Sequence, residues 1–273
     1  MTGTIAWSGA FEGARLAPTV ALPLVAPVAD WAVGGATGAG VKVAVLDSGV
    51  EGDHPKVGAL AGSVAVEIDA EGVPVFTEGP HDDLVGHGTA CAGIIRALAP
   101  EVELYSVRVL GPNLRARSSA FCAGIRWVID AGMDVVNMSL SSRSEQFYDA
   151  LHSLADEAYF RGVVLVCAAN NMPGPTYPSE FASVVSVASR HDVEPTAIAY
   201  NTRPPVEFGA IGVDVEVAWL GGSSIVATGN SFAAPHVAAL VALMRSKHPW
   251  LSPFQVKTAL HAMADNATPS PEQ

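Results

Sequence analysis

One serine sits where a glycine turn runs into a long apolar helix, in Gly229-Asn230-Ser231-Phe232-Ala233-Ala234-Pro235-His236-Val237, and this junction constrains the chain more than any other stretch. Residues 232–247 are Ala-rich and largely apolar, the pattern of a buried helix. Pro235 is expected in the first turn, where a missing N–H costs little. A helix start carries free backbone N–H groups, which can stabilise a developing negative charge. Ser231 alone allows two readings, an N-cap that only starts the helix or a nucleophile.

Two further stretches bear on that choice. Val41-Lys42-Val43-Ala44-Val45-Leu46-Asp47-Ser48-Gly49-Val50 is a β-branched run closed by an acid and a glycine. It reads as a buried parallel strand with Asp47 at its C-terminal end, where open α/β sheets place their sites. In Asp83-Leu84-Val85-Gly86-His87-Gly88-Thr89-Ala90-Cys91-Ala92-Gly93-Ile94-Ile95, a histidine opens an apolar helical run. An isolated Asp or His is usually structural. Asp, His and Ser in this order, each at a strand end or a helix start, point to nucleophilic catalysis.

The bulk properties set limits. A chain of 273 residues, 49% hydrophobic and 15% charged, can bury one large α/β core and is not a disordered composition. A net charge of −12 argues against a nucleic-acid partner. No apolar run approaches the ~20 residues of a membrane span. The first basic residue, Arg15, follows Glu12, and Pro18, Pro23 and Pro27 break the later apolar part, so no secretion signal is read. Cys91, Cys122 and Cys167 lie in apolar stretches with no disulfide or zinc spacing, which suits a reducing compartment and hence the cytoplasm.

Asp47-Ser48-Gly49, His87-Gly88-Thr89 and the block from Gly229 to Val237 resemble the three signature blocks of the subtilisin-like serine peptidases, the subtilases, over about residues 38–257. The resemblance implies an α/β three-layer sandwich with a mostly parallel central sheet and helices on both faces. It also implies a single catalytic domain over 1–273, with an N-terminal extension at 1–29 and a frayed tail at 265–273. Asp47 would orient His87, His87 would serve as base and acid, and Ser231 would attack. The family's Ala-Ala-Gly-Asn block is Ala168-Ala169-Asn170-Asn171 here. Asn171 then matches the oxyanion donor, and Asn170 takes the glycine position, since Asn tolerates left-handed backbone; Asn170 as donor stays open. Substrate contacts are implied at Leu114, Arg115 and Ala116, along a strand edge that pairs with substrate. Ser139, Leu140, Ser141 and Thr176 are implied at the primary pocket. Arg115 and Arg117 either favour acidic substrate side chains or are simply solvated.

The departures from the family pattern are informative. Ser141 and Ser142 replace the usual glycines, Thr176 would shorten the pocket floor, and Asn230 replaces a threonine while still able to donate toward the oxyanion. Lys56 stands where secreted relatives carry an acidic calcium ligand, and the run from Gly93 to Pro100 leaves no room for the calcium-wrapping loop. No metal and no cofactor are therefore expected, with a weak cation site as the minority reading of Glu67, Asp69, Glu71, Glu78, Asp82 and Asp83; most of these are read as a solvated face. Cys91 is expected beneath His87, one helical turn on. His54, His236, His248 and His261 are read as structural or exposed. Only 46 residues precede Asp47, too few for the propeptide of secreted relatives plus an opening helix, so the chain is expected either to fold unaided or to be a mature form, Met1 favouring the first. The expected function is a cytoplasmic serine endopeptidase acting on a peptide or protein, in a sharper form on the precursor or leader of a small peptide product. A transamidase or macrocyclase of the same fold and a non-catalytic peptide-binding module are the alternatives.

Overall fold

Lys42–Asp47 forms a strand, β1, whose residues alternate between two separate cores. Val43 and Val45 join one apolar cluster, Ala44 and Leu46 the other. Burial on both faces is what an uninterrupted β-branched run encodes. The structure is a computed structural model that describes Leu22, residues 28–191 and residues 194–267. Most of the expected extension at 1–29, and the tail beyond 267, lie outside the described residues.

Eight more strands join β1 in one sheet: β2 (Gly62–Ile68), β3 (Pro74–Glu78), β4 (Glu103–Arg108), β5 (Val135–Met138), β6 (Val164–Ala168), β7 (Val185–Arg190), β8 (Ala199–Tyr200) and β9 (Phe208–Ile211). Their order is β3-β2-β4-β1-β5-β6-β7-β9-β8. The interior pairs are parallel. The edge pairs β2–β3 and β8–β9 are antiparallel. The acidic stretch read as a solvated face is thus partly an edge hairpin, and every residue of β3 is exposed.

Among the described residues, four helices cover the first face: α1 (Val28–Val33), α2 (His87–Leu98), α5 (Asn230–Lys247) and α6 (Pro253–Met263). The second face is covered by α3 (Ser118–Asp130) and α4 (Tyr148–Phe160) through Phe121, Ile125, Val128, Leu151 and Leu154. This is the three-layer α/β sandwich. A short antiparallel hairpin, β10 (Val215–Trp219) and β11 (Ser223–Ala227), packs Val217 against Ala90, Ile94 and Phe232 and so covers both α2 and the start of α5.

In α5, every residue from Phe232 to Met244 is buried. The helix begins at Asn230, two residues before the apolar run. Pro235 is therefore its sixth residue and falls in the second turn, not the first. A proline there removes the hydrogen bond to the carbonyl four residues back, that of Ser231.

Candidate active site

The C-terminal ends of β1, β5 and β6 meet the starts of α2 and α5, as open parallel sheets bring their sites together. Asp47, fully buried, ends β1. Its Oδ1 accepts the Ser48 N–H at 2.8 Å. His87, the first residue of α2, directs Nδ1 at both carboxylate oxygens, 2.8 Å from Oδ1 and 2.9 Å from Oδ2. This fixes the ring and leaves Nε2 as the free nitrogen. Gly88 allows the approach: a Cβ there would sit 2.0 Å from the Gly49 carbonyl oxygen. The His87 ring lies 5.5 Å from that of Phe232, the residue after Ser231. Nε2 and Ser231 Oγ are not hydrogen-bonded to each other here, a common state before substrate tightens the contact.

Two opposed effects set the protonation of His87. Burial disfavours the imidazolium, but the charge and hydrogen bonds of Asp47, with a smaller contribution from Asp83, outweigh it and raise the pKa above the usual 6.5. Asp83 is a buried carboxylate, not part of a solvated face. It accepts five hydrogen bonds, from Ser48 Oγ, the N–H groups of Val85, Gly86 and Thr89, and Thr89 Oγ, at 2.7–3.0 Å. It therefore organises the turn before α2, whose own N-cap, Gly86, has no side chain to do so. The signal in the sequence was an acid just ahead of a helix start, lost among its acidic neighbours.

Cys91 is buried one turn after His87, as expected. Its Sγ lies 4.0 Å from Asp47 Oδ2, 3.2 Å from Ser139 Oγ and 3.6 Å from the Ser231 carbonyl. Burial, reinforced by Asp47, holds the thiol well above its ordinary range, so it stays protonated. Among the described residues, Asp47, His87 and Cys91 are the grouping whose metal-ligand atoms come within 4.8 Å of one another. A protonated thiol and an Nδ1 already bonded to the carboxylate fit a proton-handling site better than a metal-ligand set. Lys56 forms an ion pair with Glu216 at 2.5 Å.

The Ser231 carbonyl freed by Pro235 accepts the Ser139 hydroxyl at 2.7 Å. Ser139, expected at the pocket, thus turns its side chain to the back of Ser231. Sequence reading missed this link because it depends on where the helix starts.

The segment after β6 carries the two asparagines. Asn170 lies outside the left-handed region, contrary to the expectation for a glycine position. Its Oδ1 accepts the Met172 N–H at 2.8 Å. Asn171 Oδ1 accepts the backbone N–H of Asn230 at 3.0 Å, which leaves its Nδ2 hydrogens available. Asn230 does not aim a donor at the cleft. Its Nδ2 donates to the carbonyls of Ala169 and Asn170, at 3.1 and 3.2 Å. Its Oδ1 accepts from Ser189 N–H and Oγ–H, at 2.8 and 2.9 Å. The expectation that Asn230 donates to an oxyanion is therefore corrected: an amide has two donor hydrogens, and both are engaged. A Cβ at Gly229 would stand 3.3 Å from Ser231 Oγ and 3.5 Å from Asn171 Nδ2, so both groups lie close to this turn.

Leu114 bends the chain at φ 56° just after a turn at 112–113, Arg115 and Ala116 follow outside any regular element, and the Arg115 carbonyl accepts from Gly111 N–H. Leu114 and Arg115 are exposed, while Ala116 packs on the second core. Leu140 also leans on that core, and Ser141 is half-buried. Ser142 and Tyr177 exchange backbone hydrogen bonds in an antiparallel bridge that joins the two pocket segments. Thr176 is buried, with its hydroxyl 2.8 Å from Ser179 Oγ. Of the histidines, His54 bridges Lys56 N–H and the Ser223 carbonyl, His236 donates to the Phe232 carbonyl and His248 to Trp31. A cavity of about 1040 Å³, walled by Val50, Leu60, Tyr105, Trp127 and Leu220, lies behind the Asp83 turn, and none of Asp47, His87, Asn171 and Ser231 lines it.

Comparison with known proteins agrees with the geometry. Residues 38–273 match the family described as "Subtilase family". The chain is 35% identical over 245 residues to "Subtilisin" of Bacillus pumilus, covering 84% of this chain and 86% of that one. It is equally similar to "Subtilisin E" of Bacillus subtilis (strain 168), of whose length it spans 62%. Among solved structures, "Crystal structure of a cold adapted subtilisin-like serine proteinase" superposes with a TM-score of 0.70 at 27% identity, covering 85% of this chain and 86% of that one.

Proposed function

This chain belongs to the subtilase family and is a serine endopeptidase, and from that premise we propose how its residues divide the chemistry. Ser231 Oγ attacks the carbonyl carbon of the scissile peptide while His87 Nε2 takes the hydroxyl proton. Asp47 holds the imidazole through Nδ1 and stabilises the imidazolium that forms. The carbonyl π pair moves onto oxygen, and Asn171 Nδ2–H and the Ser231 backbone N–H hold that oxyanion. As the pair returns, the C–N bond breaks and His87 delivers its proton to the leaving amine. Water then adds to the acyl-enzyme, with His87 again taking and returning a proton, and frees Ser231 as the carboxylic acid leaves.

The observation that carries this reading is the double contact of His87 Nδ1 with both Asp47 oxygens, which leaves Nε2 for the serine side. The substrate is a peptide or protein chain bound along residues 114–116 and 139–141, in the finer reading the precursor or leader of a small peptide product. The altered pocket residues Ser141 and Thr176 support a narrow substrate range. Catalysis runs without bound calcium, a reading supported by Lys56, whose ammonium is paired with Glu216. The place of action is the cytoplasm, which suits three free cysteines. No described helix is long and apolar enough to cross a membrane.

Intact mass after fluorophosphonate treatment tests the site. One adduct is expected on the wild type and none on Ser231→Ala. No adduct on folded wild-type protein overturns the reading. Product masses from candidate precursor peptides then distinguish water from an amine as the acyl acceptor and identify the bond cut.

A further inference from the structure

Asn230 occupies the position between the turn glycine and the nucleophile, and its side chain has no capacity left for a ligand. Its two amide hydrogens go to the carbonyls of Ala169 and Asn170, and its carbonyl oxygen takes both donors of Ser189. It therefore joins three elements, the segment after β6, the strand β7 and the start of α5. Its backbone N–H is used as well, on Asn171 Oδ1. With its oxygen held there, the Asn171 amide keeps its nitrogen free, and Nδ2 and Ser231 Oγ both lie within 3.5 Å of the place a Gly229 Cβ would take.

We propose that Asn230 is the positioning residue of the oxyanion hole: it ties the Asn170–Asn171 segment to the start of the nucleophile helix and fixes the Asn171 amide with its N–H groups toward the reacting carbonyl. A threonine at this position has one hydroxyl donor and cannot hold two carbonyls at once. The Asn171–Asn230 pair is thus a unit in which the second asparagine replaces the family's threonine with a stiffer tie. Donor placement matters because a donor works only when it is already aimed at the charge that develops.

The proposal rests on Asn171 being the oxyanion donor, so the test separates the two. Steady-state kinetics on a cleaved peptide would compare wild type, Asn171→Ala, Asn230→Ala, Asn230→Thr and the double alanine variant. Asn230→Ala should lower kcat about 10- to 100-fold, less than the roughly 10²–10³ for loss of the donor itself, and should change KM by less than about threefold. Asn230→Thr should fall between it and wild type. The double variant should be no slower than Asn171→Ala, because both act through one amide. Multiplying effects in the double variant, or an unchanged kcat in Asn230→Ala, would overturn the proposal. If Asn171→Ala keeps full kcat, the donor assignment fails instead. Crystal structures of wild type and Asn230→Thr then decide the positioning role without reference to activity: a displaced Asn171 amide supports it and an unmoved one overturns it.

Discussion

The two helices that carry His87 and Ser231 start in similar ways and are held by opposite means. Each follows a glycine, Gly86 before α2 and Gly229 before α5, and neither glycine can cap its helix. At α2 the free N–H groups are taken by the buried carboxylate of Asp83. At α5 the first N–H, that of Asn230, is taken by the neutral amide of Asn171, and the Asn230 side chain anchors the same turn to neutral groups. The difference follows the charge each helix start must face. A negative charge near α2 favours the imidazolium that His87 becomes. A negative charge near α5 would oppose the oxyanion that Ser231 creates, and would occupy the positive end of the helix dipole that can help stabilise it. The base sits beside an anion, and the nucleophile beside uncharged donors.

The sharpest way to break this comparison is to move the charge. Asn171→Asp should lower kcat by more than about 10³-fold, since it removes a donor and adds a repelling carboxylate; turnover numbers at saturating peptide check it, and a loss under tenfold would refute the charge argument. Removing the anion at α2 should cost structure first. Asp83→Ala leaves buried donors unpaired and should destabilise the fold by about 3 kcal/mol, read from urea unfolding. Third, the start of α5 should stay uncharged in mild acid until the fold itself gives way. Burial pushes His236, in its second turn, down to about 4, against 6.5 for an unperturbed imidazole. The stability tied to its neutral form is complete above pH 6.5 and is lost as pH falls toward about 4, because the unfolded chain takes up the proton first. The loss is on the order of 3 kcal/mol, and His236→Gln should flatten thermal midpoints across that window. The smallest effect concerns His87. Activity requires its neutral form, so the acid limb of kcat/KM should have its midpoint above 6.5, given the raised pKa. Asp83→Asn should move that midpoint to lower pH while leaving the limb's shape intact; a pH–rate profile checks both.

What was legible in the sequence was local. The apolar run of β1 with its terminal Asp47, the apolar helix after Ser231 and the His-Gly-Thr block each encode a short element and the residue at its end. A parallel sheet gathers such ends along one edge, and the three stretches together carried the family resemblance that implied one site and one fold class. The spacing of Cys91 from His87 was legible for the same reason, since four residues on a helix make one turn.

What required the tertiary structure was which polar groups were already engaged. Asn230 looks like a donor when read alone, and becomes a tie only when Ala169, Asn170 and Ser189 come within reach of its amide. Asp83 looks like one of several surface acids until the turn before α2 folds around it. Ser139 looks like a pocket residue until Pro235 leaves the Ser231 carbonyl without its helical partner. In each case the sequence determined which hydrogen bonds a side chain is able to make. The choice among possible partners was set by long-range packing, because a buried donor or acceptor must be satisfied by whichever group the fold brings to it.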